Sequence, residues 1–84
     1  MKYMAEVIVT LKDGIRDPQG AAISTVLKRT GIEEKAEISA GKFFTLAISA
    51  ENQDAAKEKI NTICEDVLIN PILENYRIGR FDQV

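Results

Sequence analysis

The sequence contains no histidine and a single cysteine, and both scarcities limit the chemistry available to it. Histidine is the commonest general base near neutral pH and a frequent metal ligand. With Cys64 alone, the chain has no internal disulfide, Cys–His pair, Ser–His–Asp triad or ordinary zinc site. We therefore expect no catalytic, cofactor or metal site in this chain alone. A lone thiol favours a reducing, cytoplasmic location.

Long hydrophobic runs and an excess of basic residues are also missing. No apolar run approaches the roughly 18 residues that a membrane span requires, and the first residues do not resemble a signal peptide. Eleven basic residues against thirteen acidic ones give a net charge of −2. Nucleic-acid-binding domains usually carry a basic excess that neutralises phosphates. We therefore expect neither a membrane nor a nucleic acid as partner.

Two aromatic residues near the middle of the chain bear on RNA binding. Phe43 and Phe44 lie in "AGKFFTLAI", which superficially resembles the aromatic strand of RNA-recognition domains. Adjacent strand residues point to opposite faces of a sheet, whereas base stacking needs aromatics on one face. The spacing therefore disfavours an RNA-binding strand.

The first half of the chain has the length and periodicity of one strand, one helix and a hairpin. "YMAEVIVTLK" alternates apolar and polar residues, as a half-buried strand does. From Asp17 the apolar residues recur at helical spacing until Gly31, which is suited to end a helix in the left-handed conformation. "EKAEISAGKFFTLAIS" alternates on both sides of Gly41 and Lys42, which predicts a hairpin with its turn there.

The second half predicts a helix and a final strand. The helix has one apolar stripe, made of Ala56, Ile60, Ile63, Val67 and Leu68. Asn70-Pro71 should end it, because the residue before proline is pushed out of the helical region. "LENYRIGRF" supplies the last strand, with Tyr76 and Ile78 on one face. The order predicts a single α+β domain over residues 1–84, a ferredoxin-like βαββαβ fold with two helices on one face of an antiparallel sheet.

The stretch "DGIRDPQGAA" is unusual because it places two glycines and a proline before a helix. It lacks the Lys-Ser/Thr that follows the glycines of a phosphate-binding loop. Asp17 is a good N-cap and Pro18 suits the first helical position. Gly20 is not explained by capping, since glycine in a helix costs about 0.5–1 kcal/mol relative to alanine. We expect the close approach of another backbone or of a partner there.

Three stretches together resemble a known family across essentially the whole chain. They are "DPQGAAI" (17–23), "AGKFFTLAI" (40–48) and "NPILENYRI" (70–78), and they resemble PurS, the small subunit of phosphoribosylformylglycinamidine (FGAM) synthase. The residues that match the family's runs are Asp17, Pro18, Gln19, Gly20, Gly41, Lys42, Asn70, Pro71, Glu74 and Tyr76. Arg16, where an apolar residue is common, departs from the pattern.

The resemblance implies a non-catalytic role in purine biosynthesis. In that family a glutaminase subunit releases ammonia, a large ATP-dependent synthetase subunit consumes it, and the small subunit assembles the two and assists ammonia transfer. ATP and Mg are used by the complex rather than by this chain. The resemblance also implies that the chain forms a homodimer or homotetramer. It further implies that the matching residues form the interface with partner proteins.

Two other functions remain open from the residues alone. Ferredoxin-like domains often bind small molecules at dimer interfaces, so a homodimeric, small-molecule-sensing regulatory module is the alternative. It predicts that a ligand stabilises the isolated chain. A stand-alone enzyme is disfavoured by the missing histidine and would require turnover by the pure chain.

Overall fold

The strands form one antiparallel sheet with a central strand that is bonded on both sides. The computed structural model describes residues 1–84. Its elements are β1 (Lys2–Leu11), α1 (Pro18–Thr30), β2 (Gly41–Ser49), α2 (Gln53–Ile63) and β3 (Glu74–Gln83), and a turn of π-helix (Cys64–Leu68) extends α2. The strand order is β2-β1-β3. No helix is long and apolar enough to cross a membrane.

The α+β, ferredoxin-like class is confirmed, with one strand fewer than predicted. The sequence predicted βαββαβ, whereas the structure has the order βαβαβ. The predicted hairpin at 34–49 is wrong in its first half, since residues 36–40 belong to no strand of the sheet. Gly41 and Lys42 do not form a turn because both pair with β1, Gly41 opposite Thr10 and Lys42 opposite Val9. The chain therefore runs straight from residue 36 into β2.

The core lies between one face of the sheet and α2. Alternation along β1 buries Tyr3, Ala5, Val7 and Val9, as the sequence predicted. From the other side Ala56, Ile60 and Cys64 complete the set of buried hydrophobic residues. Half-buried residues of β2 and β3, including Phe44, Leu46 and Ile78, pack around this centre.

One residue of the predicted α2 stripe lies outside the core. Val67 is 73% exposed, whereas Cys64 is fully buried in its place. The π-turn is the cause, because its Ile69 amide bonds to the Cys64 carbonyl five residues earlier. The extra residue in that turn rotates Val67 away from the sheet. The helical run still ends before Asn70-Pro71, as predicted.

Helix α1 makes few contacts with the sheet and lies beside residues 38–40 instead. Its bounds agree with the sequence, and Gly31 ends it with φ of 74°. Two residues of its apolar stripe, Ile23 and Val26, are 41% and 44% exposed. The chain is accordingly elongated, 52 × 27 × 13 Å, with a radius of gyration of 16.6 Å. A compact chain of this length would have a radius of about 12 Å.

We predict that Ile60→Ala lowers the free energy of unfolding by about 2–5 kcal/mol. Ile60 is completely buried against β1, so the truncation leaves a cavity. Urea unfolding measures the loss. The matched control is Val67→Ala, seven residues along the same helical run and largely exposed, which should change stability by less than about 0.5 kcal/mol. Equal losses in the two variants would contradict this description of the core.

Candidate functional site

The three sequence runs that resemble PurS meet at one end of the sheet. The N-terminus of α1, the start of β2 and the start of β3 all lie around the last residues of β1. Together they line a groove of about 270 Å³. Six of the ten predicted site residues line it, namely Asp17, Pro18, Gln19, Gly41, Lys42 and Glu74. Pro71 and Tyr76 line a neighbouring depression that shares Glu74 with it.

Asp17 connects the start of α1 to the start of β2. Its Oδ1 accepts a hydrogen bond from the Gly20 amide at 2.9 Å, which is the predicted N-cap. Its Oδ2 accepts from the amide of Ala40, 23 residues away, at 2.8 Å. The Ala40 bond, and secondarily the Gly20 bond, stabilise the charged carboxylate and lower the pKa of Asp17 below its ordinary value. One side chain thus fixes two elements.

Gly20 is small because another part of the backbone passes against it. It is the only buried residue of α1. A Cβ at this position would meet the carbonyl oxygen of Ile38, and would lie 2.6 Å from Oδ2 of Asp17. The amide of the same Ile38 donates to Oγ of Ser24, one helical turn after Gly20. The expected close approach of another backbone is therefore confirmed, and it comes from within the chain.

Gly41 and Lys42 begin β2 beside the end of β1. A Cβ on Gly41 would meet the carbonyl oxygen of Val9, so strand pairing at this point requires glycine. Lys42 extends past the strand, and its Nζ lies 3.6 Å from Oε2 of Glu74. The Lys42 side chain is 61% exposed, so this ion pair contributes at most about 1 kcal/mol. Its ammonium group remains accessible from outside.

The run from Asn70 to Glu74 closes on itself by hydrogen bonds. Oε1 of Glu74 accepts from the amide of Asn70 at 2.8 Å, and the amide of Glu74 donates to the carbonyl of Asn70 at the same distance. Oδ1 of Asn70 accepts from the amide of Ile72 at 3.0 Å. Both polar residues are thus occupied in reversing the chain between the π-turn and β3. Pro71 lies on the exposed side of this turn.

Tyr76 connects β3 to α2. Its hydroxyl oxygen lies 3.0 Å from Oδ1 of Asn61 and 3.2 Å from Oε1 of Glu65. Burial, and then the bond to Glu65, raise the pKa of Tyr76, so the phenol stays protonated and donates. Neither Asn61 nor Glu65 was identified from the sequence. The signal that reveals them is their spacing of four residues, which places them on one side of the helix.

The site residues therefore divide into two groups. Asp17, Gly20, Gly41, Asn70, Glu74 and Tyr76 are held by contacts inside the chain. Pro18, Gln19, Lys42 and Pro71 are exposed. Of these four, only Lys42 uses its side chain in an ion pair, and the other three make no side-chain hydrogen bond or ion pair. Sequence reasoning did not separate these groups, because the partners of Asp17 and Gly20 are backbone atoms of Ala40 and Ile38. The second group is exposed at the surface of the chain.

Neither a thiol nor a metal-holding cluster of side chains lies in the groove. The chain's one thiol, Cys64, lies in the core outside the groove, and burial, followed by the charge of Glu65, raises its pKa. It therefore stays protonated and unreactive at neutral pH. No group of three acidic or cysteine side chains is arranged to hold a metal ion.

Comparison with known proteins gives a consistent result. The family model described as "PurS: Phosphoribosylformylglycinamidine (FGAM) synthase" matches residues 4–81. The PurS subunit of Archaeoglobus fulgidus is 33% identical over 75 residues, covering 89% of this chain and 94% of that protein. The structure of Thermus thermophilus PurS superimposes with a TM-score of 0.86 at 34% identity, covering 100% and 99% of the two chains. A chain in the structure of PurLQS from Thermotoga maritima gives 0.85 at 29% identity, covering 94% and 96%.

We predict that Gly20→Ala destabilises the fold, although alanine favours helices. The added methyl group meets the backbone of Ile38, which cannot rotate away. Overpacking costs about 1–3 kcal/mol, and the gain in helix propensity returns only about 0.5–1 kcal/mol. Thermal unfolding should show a clear drop in midpoint. Thr25→Ala, on an exposed part of the same helix, is the control and should unfold at or above the parent temperature.

We predict that the start of α1 and residue 40 respond together to acid. The folded pKa of Asp17 is depressed, so its contribution is present above the unfolded value of about 3.9 and is lost as the pH falls through the folded pKa. The amide signals of Gly20 and Ala40 should titrate with one midpoint in NMR. Asp17→Asn should abolish that shared transition, and Asp13→Asn should leave it. Separate midpoints for the two amides would contradict a shared carboxylate.

Proposed function

Since this chain belongs to the PurS family, we propose that it is the assembly subunit of phosphoribosylformylglycinamidine synthase. In this role it bridges a glutaminase subunit and a large synthetase subunit and assists the transfer of ammonia between them. The glutaminase releases ammonia, and the synthetase uses it with ATP and Mg to convert the ribonucleotide amide. The present chain supplies surface and enclosure rather than a reacting group.

The observation that carries this proposal is the convergence of three distant runs on one groove. Residues 17–20, 41–42 and 70–76 are far apart in sequence but surround the same end of the sheet. Internal hydrogen bonds hold this end in shape, and they leave Gln19, Lys42 and Pro71 facing outward. A rigid surface made of separate segments is what recognition of a folded partner requires.

An enclosure is needed because ammonia does not survive release into water as a nucleophile. At neutral pH it gains a proton and becomes ammonium, which has no free lone pair. Two active sites that share ammonia therefore need a path from which bulk water is excluded. A small subunit that completes the wall of such a path needs no acid or base of its own. The absence of histidine and the protonated Cys64 are compatible with that role.

We extend the proposal to self-association and location. The exposed apolar residues of α1 support a homodimer or homotetramer, since they lack cover within the chain. A single, buried, unpaired thiol is in keeping with a cytoplasmic location. The structure of PurLQS from Thermotoga maritima, which contains a chain similar to this one, supports assembly with two further subunits.

Reconstitution with the glutaminase and synthetase subunits tests the proposal. Product formation is measured with glutamine as the nitrogen source, and separately with a high concentration of ammonium salt at raised pH. We expect the glutamine-dependent reaction to require this chain and the ammonia-dependent reaction to proceed without it. Equal dependence in both assays would assign the chain a part in the chemistry itself. Independence in both would overturn the proposal and favour the regulatory module.

We predict that Gln19→Arg weakens association with the other subunits by tenfold or more. Gln19 is exposed at the groove, and a longer charged side chain there obstructs a close contact. The matched control is Gln53→Arg, which makes the same change near the N-terminus of α2, outside the groove. Pull-down with the purified subunits and thermal unfolding of each variant are the measurements. Equal weakening by both variants would place the interface elsewhere.

A further inference from the structure

Residues 67–73, which we call the apolar turn, expose apolar side chains at a place where the backbone is tightly held. Ile72 is 79% exposed, the highest value among the large apolar side chains of the chain, and Val67 is 73% exposed. Between them, Leu68 and Ile69 pack against the core and anchor the segment. An apolar side chain that stays in water contributes little to folding, so the two outward residues are available for another role.

The backbone of the apolar turn leaves no amide free in the five residues that end at Glu74. The amide of Asn70 donates to Oε1 of Glu74, and the amide of Ile72 donates to Oδ1 of Asn70. The amides of Leu73 and Glu74 both donate to the carbonyl of Asn70. Pro71 has no amide hydrogen. The turn can therefore enter a dry, apolar pocket without leaving a backbone donor unpaired there.

Hydrogen bonds also fix the apolar turn to the elements on either side of it. The amide of Ile69 donates to the carbonyl of Cys64, at the start of the π-turn. The amide of Lys12, directly after β1, donates to the carbonyl of Leu73 at 2.9 Å. A partner therefore meets Ile72 in one position, which reduces the conformational entropy lost on binding.

The π-turn exposes the second apolar side chain of this segment. A regular α-helix would place Val67 in the apolar stripe that contains Ile60 and Ile63, facing the sheet. The π-turn directs Val67 outward instead. Single π-turns within helices often lie at functional sites. Here the π-turn adds an exposed apolar residue to the segment that carries Ile72.

The charges near the apolar turn indicate the chemistry of its partner. Residues 60–76 contain three acidic residues and no lysine or arginine. Glu74 is in an ion pair, and Glu65 shares a depression with Lys12. The carboxylate of Asp66 is exposed and makes no hydrogen bond or ion pair. A complementary surface therefore carries a lysine or arginine beside its apolar part.

We infer that the apolar turn inserts into an apolar pocket with a basic rim on another subunit of the synthase, with Ile72 at the centre of the contact. The inference rests on the function proposed above and names the element that makes the contact. Pro71 lines the depression that shares Glu74 with the groove, so the turn continues the groove surface. A rigid apolar anchor that fills a partner's pocket is the kind of contact that contributes most of the affinity of an interface.

Replacement of Ile72 by serine tests the insertion. Isothermal titration with the purified synthetase and glutaminase subunits measures the dissociation constant of each complex. We expect Ile72→Ser to raise it about tenfold or more for at least one of them, because the apolar side chain no longer leaves water on binding. The variant should unfold at the parent temperature, since Ile72 is exposed in the free chain.

The matched control is Ile32→Ser, the same change at a residue that is 75% exposed just after α1 and outside the groove. It should bind within about twofold of the parent. The heat capacity change of binding gives a second readout, because burial of apolar surface makes it negative. We expect the same negative value for the parent and for Ile32→Ser, and a smaller one for Ile72→Ser.

Charge reversal at Asp66 tests the basic rim. Asp66→Lys should slow association with the same subunit at low salt, because it places like charges opposite each other. Glu51→Lys makes a comparable change before α2, away from the apolar turn, and should associate at the parent rate. Equal rates for the two variants would contradict a basic rim.

The outcomes separate this inference from the assembly role. Equal binding of Ile72→Ser and Ile32→Ser would overturn the inference, and the assembly role would stand if glutamine-dependent activity still required the chain. Weakened binding of Ile72→Ser, with an enzyme that does not require the chain, would keep the contact and remove the assembly role. A parent that binds neither subunit would overturn both. A changed oligomeric state of isolated Ile72→Ser would place the turn against a second copy and overturn the inference.

Discussion

The carboxylate of Asp17 is the interaction on which the shape of this protein most depends. It is the N-cap of α1 and also accepts a hydrogen bond from the amide of Ala40, directly before β2 begins. The carbonyl of Ile38, two residues before Ala40, lies against Gly20. The chain then enters β2 without a turn. These two hydrogen bonds therefore join the start of α1 to residue 40, and both lie beside the groove.

Most of the residues that resemble PurS hold the backbone in place, and fewer of them are exposed without such a role. Asp17, Asn70 and Glu74 satisfy backbone amides that would otherwise lack partners, and Gly20 and Gly41 allow backbones to approach closely. The exposed residues between the fixed ones, such as Gln19 and Pro71, are where contact with other proteins takes place in the role we propose.

Much of the fold was predictable from sequence because its signals are local. Alternation along β1, the Pro18 and Gly31 boundaries of α1 and the stop at Asn70-Pro71 depend on neighbouring residues only. The prediction of a hairpin turn at Gly41 and Lys42 was wrong. Residues 36–40 alternate as a strand does, but this alternation does not reveal with which strand, if any, they pair. Val67 was misplaced because the π-turn leaves no mark in the apolar spacing.

The sequence predicted many of the residues that line the groove but not how they are arranged. The family resemblance identified six of the ten residues that line it, whereas the backbone partners of Asp17 and Gly20 depend on how a segment twenty residues later passes α1. Backbone atoms carry no sequence signal, so these contacts emerge only from the folded chain.

The central position of β1 has a consequence for synthesis on the ribosome. β1 precedes both of its neighbours, β2 and β3, in the chain, and Tyr3 of β1 pairs with Gln83 of β3. During synthesis one side of β1 therefore stays unpaired until β3 has emerged from the ribosome. Pairing across so many intervening residues is slow compared with local contacts. The arrangement leaves β1 open to misassembly until β3 has paired with it.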